Sequence, residues 1–208
     1  ESAISVVRRL SPSDLVSVVT FESEVEVKLN PTSASDPNIE NIIRSINVGG
    51  ATALHGGIST AFQLLQQASV ANMINRLEVF SDGEPNVAPY EDSDFVQQAR
   101  EIRNNGMTLD VFGIGDDYNE QLTLQLAEVG GGKWEHASDP SQITKIVHTK
   151  YTERQKTIIT NPQLQLTLLD TAELVEVYTI KPTVNRIENL SRKGNVIYIG
   201  LKDILKDQ

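Results

Sequence analysis

Leu77-Glu-Val-Phe-Ser-Asp-Gly-Glu-Pro-Asn86 sets a carboxylate and a turn directly behind a short apolar run. A strand that ends in Ser81-Asp82-Gly83 carries one acid to the carboxyl edge of a sheet, which is where open α/β sheets bind their ligands. One acid alone decides nothing, so the meaning of Asp82 depends on what the flanking chain builds around it.

Ahead of that strand, Leu54, Ile58, Ala61, Phe62, Leu65 and Ala68 recur at helical spacing and predict a helix leading into it. Behind it the same grammar repeats. A helix from Asp94 to Asn105 is closed by Gly106 and followed by a strand from Thr108 to Phe112. Next come a helix from Asn119 to Val129 closed by Gly130-Gly131-Gly132, a short strand from Lys133 to His136, and a helix near Ser141 to Thr149. Toward the N-terminus, Ala3, Ile4, Val7 and Leu10 form a helical stripe that begins without a cap. Leu15-Val-Ser-Val-Val-Thr-Phe21 is β-branched and apolar, as for a strand covered on both faces. Val25, Val27 and Leu29 alternate with Glu26 and Lys28, which predicts a half-exposed strand antiparallel to it. Pro37 opens a short helix carrying Ile39, Ile42, Ile43 and Ile46, and Gly49-Gly50 ends it. Helix and strand in alternation predict an α/β fold with a doubly wound, mostly parallel sheet and helices on both faces.

From Tyr151 the helical period disappears. Leu164 to Leu169, Leu174 to Ile180 and Val196 to Leu201 read as strands of a small all-β segment, so the expected division is residues 1–150 and 151–208. Three strands bury too little to be stable alone, and further strands are expected elsewhere in the polypeptide.

Composition narrows the partners. The 208 residues carry a net charge of −10. All of it lies in residues 1–150, which hold 21 acidic and 10 basic residues, whereas residues 151–208 hold 7 and 8. Such a field repels phosphate backbones and anionic surfaces and favours cations, which argues against nucleic acid. No apolar run approaches the roughly 20 residues of a membrane helix. With no cysteine there is neither a disulfide frame nor a thiolate site, which suits a reducing cytoplasm without excluding export.

Four stretches in order, Asp14-Leu-Val-Ser-Val-Val-Thr-Phe21, Gly49-Gly-Ala-Thr52-Ala-Leu-His-Gly-Gly57, Phe80-Ser-Asp82-Gly-Glu-Pro-Asn86 and Phe112-Gly-Ile-Gly-Asp-Asp-Tyr-Asn119, resemble the von Willebrand factor A domain from Glu1 to about Thr149. That resemblance implies a Rossmann-like sheet whose crest carries a metal-ion-dependent adhesion site. The family's ligands are an Asp-x-Ser-x-Ser loop after the first strand, a Thr in a Gly-Gly-x-Thr loop and an Asp in a Ser-Asp-Gly loop. Thr52 matches the second and Asp82 the third. Mg²⁺ suits such a set, because it takes oxygen ligands and leaves a position for an incoming acidic group. No Asp-x-Ser-x-Ser occurs; Asp139-Pro-Ser141-Gln-Ile143 fails at its last position. The resemblance therefore places the serine loop upstream of Glu1, together with the middle strand of the sheet, and implies an incomplete metal site with too few ligands for firm binding. Without that strand, Leu15 to Phe21 and Leu77 to Phe80 would each show a free backbone edge. The expectation is that another segment lies between them, whether an upstream piece, a strand exchanged from a second chain or a rearranged tail. The tail from Leu164 is similar to the β-sandwich that follows the A domain in prokaryotic relatives of inter-alpha-trypsin inhibitor heavy chains.

The plainer readings stand beside these. Thr52 and Asp82 also suit loop capping, His55 suits a solvated helix start, and Glu84, Asp116 and Asp117 suit solvated loops. Trp134 and Tyr118 fit a partner surface or a half-buried anchor equally well. Gly113-Ile-Gly115 lacks the third glycine of a dinucleotide loop. Together the residues and the resemblance point to a non-enzymatic interaction module that binds an acidic group of a protein partner through a divalent ion in the intact polypeptide. A metal-independent structural or assembly subunit is the alternative. A metal-assisted hydrolase would need a poised base, and only His55 is on offer.

Overall fold

Thr108–Ile114 is buried from Thr108 through Gly113 and forms β4, the middle of three parallel strands, between β3 (Arg76–Ser81) and β5 (Gly131–Ala137). In the computed structural model the described residues are 2–47, 49–68, 73–89, 91–139, 142, 145–146, 149, 157–159, 162–169, 171–180, 185–187, 190–201 and 204–206. Strand β4 is buried on both faces because both are covered, and Thr108 and Asp110 are buried with its apolar side chains. On one side Leu77, Val79, Leu109 and Val111 pack against α3 (Leu54–Ala68), α4 (Asp92–Asn104) and α5 (Glu120–Val129). On the other, Phe80 and Phe112 stack with ring centroids 4.7 Å apart, and Val6 of α1 (Ser2–Val7) packs there. Full burial of side chains such as Leu109 and Val111 stabilises by about 1.5–3 kcal/mol each.

Local chemistry fixes the element ends. The Asn119 side chain accepts the Leu122 N–H at 2.9 Å and caps α5. Gly106, at φ +76°, lets the chain leave α4. The three glycines after α5 do more than end it, since β5 already begins at Gly131. A side chain at Gly132 would overlap the Leu109 carbonyl, so its absence is what lets β5 close on β4. The helix expected from Ser141 to Thr149 lies largely outside the described residues.

β1 (Leu15–Phe21) and β2 (Val25–Ser33) form a separate antiparallel ribbon. β2 runs beyond the expected Leu29, through Pro31, which an edge strand with a register shift tolerates. The short helix α2 (Ile39–Arg44) buries Ile39 and ends well before Gly49, and two bonds of 2.7 Å from Arg8 to Glu40 tie it to α1.

β1 and β3 are not paired with each other, and among the described residues no strand stands between them. Both pack under α3. This corrects one expectation: β1 is not covered on both faces but only partly buried along its length, with Leu15 45% exposed. Its only ladder partner among the described residues is β2, and its other row of N–H and C=O groups has no strand to meet.

The chain divides into two compact units, Glu1–Lys156 and Thr157–Gln208. In the second, β7 (Gln163–Thr167), β11 (Val196–Gly200) and β10 (Leu190–Lys193) form an antiparallel sheet in the order β10-β11-β7, with Gly194 at φ +61° in the β10–β11 turn. Leu164 pairs with Ile199 and Leu166 with Ile197, so one face is mostly apolar, with Arg192 on its outer strand, while Gln165, Thr167, Ser191 and Tyr198 line the other. Among the described residues two short pairs, β6 (Thr157–Ile159) with β12 (Ile204–Leu205) and β8 (Tyr178–Thr179) with β9 (Asn185–Arg186), accompany it. The strand expected from Leu174 shrinks to Tyr178-Thr179: hydrophobic alternation does not make a strand without a partner, and Val175 is 84% exposed.

Candidate functional site

Parallel pairing brings Ser81, Gly113 and His136 into one row at the carboxyl end of the sheet. Ser81 is buried, and its hydroxyl donates to the Gly83 carbonyl at 3.2 Å, which turns the chain and leaves Asp82 exposed at the crest. Thr52 comes to the same turn. A Cβ built on Gly83 would stand 3.1 Å from Thr52 Oγ1, so the threonine hydroxyl occupies the space that a side chain at position 83 would need. Two hydrogen bonds lock the loops together: Thr52 N–H donates to Asn86 Oδ1 at 2.7 Å, and Asn86 N–H donates to the Thr52 carbonyl at 3.2 Å. From the other side, Ala53 N–H donates to the Glu22 carbonyl at 2.9 Å, fastening the threonine loop to the end of β1. The Glu22 carboxylate lies against Gly49, where any side chain would overlap it.

The two residues singled out from the sequence thus lie on neighbouring loops at one edge of the sheet. Two others went unnoticed. Asn86 stands 34 positions from Thr52, and Glu22 follows a strand with nothing local to mark it. The quoted stretch contains Asn86, but turn chemistry explains an asparagine there equally well.

The donors on the two loops, a threonine hydroxyl and carboxylates, match a hard divalent cation in kind. They do not match it in number, since among the described residues no group of three His, Cys, Asp or Glu side chains converges. Beside the β1–β2 hairpin lies an open cavity of about 430 Å³ lined by Glu22, Glu24, Glu26 and Lys28, the last two paired with each other.

His55 is not a freely solvated helix start. Its ring is half-buried edge-on to Phe95, with centroids 5.4 Å apart, and its carbonyl accepts from Gln98 Nε2 at 3.0 Å. Glu84, Asp116 and Asp117 are exposed. Tyr118 is an anchor: its ring covers Gly113, its hydroxyl meets His136 Nδ1 at 2.9 Å, and burial followed by the Glu120 and Asp116 charges pushes its phenol above 10.0. Trp134 is tied inward through Nε1 to Thr123 Oγ1 at 3.2 Å.

A wound α/β sheet with an acid-and-hydroxyl crest defines the class of protein, and comparison with known proteins gives the family. Residues 1–149 match the von Willebrand factor type A domain, and the chain belongs to that family. It is 25% identical over 163 residues to YfbK of Escherichia coli (strain K12), covering 77% of this chain and 28% of that protein. To calcium-activated chloride channel regulator 1 of Bos taurus it is 22% identical over 142 residues, covering 67% of this chain and 15% of that protein. The chain thus spans less than a third of the length of the curated relatives it matches. Among solved structures, a von Willebrand factor type A protein from Catenulispora acidiphila superposes with a TM-score of 0.84 at 15% identity, covering 99% of this chain and 50% of that one. Proximal thread matrix protein 1 from the mussel byssus, solved with a zinc-occupied MIDAS motif, gives a TM-score of 0.56 at 18% identity, covering 72% of this chain and 39% of that one. These likenesses fix the fold. Domains of this family are in general protein-interaction modules rather than enzymes.

Proposed function

We propose that this chain is a non-catalytic module that captures an acidic side chain of a protein partner through a divalent ion, Mg²⁺ or a close equivalent, with Thr52 and Asp82 among its ligands. The ion's remaining ligands would come from an oxygen-rich segment outside these 208 residues. The observation that carries this reading is the meeting of the Thr52 hydroxyl with the Asp82-Gly83 turn at the crest of the sheet. A cation there explains how an acidic domain attracts an acidic partner, because the ion's own charge reverses the local field.

Calorimetric titration of the full-length protein with Mg²⁺ tests it. Saturable binding that is lost in Asp82→Ala is the expected result; no binding by the wild type, or equal binding by the variant, overturns it.

A second reading, a structural or assembly subunit without metal dependence, draws support from the small number of oxygen ligands on the chain itself. Size-exclusion chromatography of the native complex with and without a chelator separates the two, since only the ion-bridged complex dissociates. Metal-assisted hydrolysis has the least support, because the ring of His55 is engaged with Phe95.

A further inference from the structure

We infer that Asn86 is the positioning residue of the crest: it holds the Thr52 hydroxyl beside the Asp82 turn, and an ion bound there depends on it although it is not itself a ligand. This inference rests on the metal reading above. Its basis is geometric. A side-chain oxygen of Asn86 takes the Thr52 N–H at 2.7 Å while its backbone N–H returns a bond to the Thr52 carbonyl at 3.2 Å, so one residue satisfies both main-chain groups of the threonine. Among the described residues the loop around Thr52 has little else to define it. Gly49, Gly50 and Ala51 precede it, and its further tie is the bond from Ala53 to Glu22. Glycines leave a backbone with a wide choice of conformations, and a hydroxyl on such a loop is placed by whatever grips the residue that carries it. Gly83 completes the arrangement by leaving the space that Thr52 Oγ1 fills. Asn86 sits four positions beyond Asp82, so its grip ties the threonine loop to the loop that carries the aspartate.

Residues of this supporting kind typically cost about 10- to 100-fold in metal affinity when removed. The test uses the full-length protein and two readouts. Hydrogen–deuterium exchange after chelator treatment reports on the peptide containing Thr52, and Mn²⁺ titration reports on the ion. Asn86→Ala is expected to speed exchange at the Thr52 peptide with the rest of the chain unchanged, and to weaken Mn²⁺ by at least about tenfold. Asn86→Asp, whose carboxylate still accepts the Thr52 N–H, is expected to retain both. Unchanged exchange in Asn86→Ala overturns the inference whatever the ion does, as does faster exchange throughout the chain. So does an Asn86→Asp variant that behaves like Asn86→Ala. A wild-type protein that takes up no Mn²⁺ overturns the metal reading and the positioning role with it; dependence of Thr52 exchange on Asn86 would then mark simple loop packing, which keeps the two failures apart.

Discussion

β1 and β4 are both seven residues long and rich in β-branched and aromatic side chains, yet they end in opposite circumstances. β4 lies between two strands and two helical layers and is almost wholly buried; β1 has a strand on one side only among the described residues, and none of its residues is fully buried. The contrast teaches that a strand's composition records the surroundings it is suited to, whereas its burial records the neighbours it has. Leu-Val-Ser-Val-Val-Thr-Phe is a sequence for the inside of a sheet, found at an edge.

Mutations that treat the two strands alike should expose the difference. The largest effect belongs to Asp110 in β4, which is fully buried, accepts the Lys133 N–H at 2.7 Å and lies 3.6 Å from Arg76. Asp110→Ala breaks a buried pair and strands its partners, and should lower the unfolding free energy by about 3–5 kcal/mol in a denaturant titration. Leu109→Ala comes next at about 2–5 kcal/mol, because a buried leucine leaves a cavity. Leu15→Ala in β1 should cost under about 1 kcal/mol, in keeping with an exposed site. If Leu15→Ala in the full-length protein costs as much as Leu109→Ala, something covers β1 there and the contrast dissolves. Amide exchange sharpens it without mutation: β4 amides should open only with global unfolding, while the outward-facing β1 amides exchange early. The smallest effect concerns pH. The folded state raises the Tyr118 phenol, so the stability it contributes is complete below the unfolded value of about 10 and is lost as pH climbs toward the folded one. Tyr118→Phe should flatten that part of the alkaline loss in thermal unfolding scans.

The wound α/β pattern was legible because helix and strand periods differ and because breakers such as Gly106 and Asn119 act locally. β4 and the face of α3 follow from those rules alone. What escaped depended on distant partners. The extension of β2 through Pro31, the entry of Gly131 and Gly132 into β5 and the loss of the strand from Leu174 to Val177 are each decided by who lies alongside. The crest shows the same division: Thr52 and Asp82 belong to recognisable loops, while the grip of Asn86 on Thr52 joins residues 34 positions apart and leaves no trace in either stretch.

The hairpin that β1 and β2 make is unequal at its two margins. Its outer member carries Glu26, Lys28 and Pro31 and a broken register, devices that discourage the stacking of chain upon chain into fibrils. The inner member has none of them. Strand addition is thereby discouraged on one flank of the hairpin and not on the other.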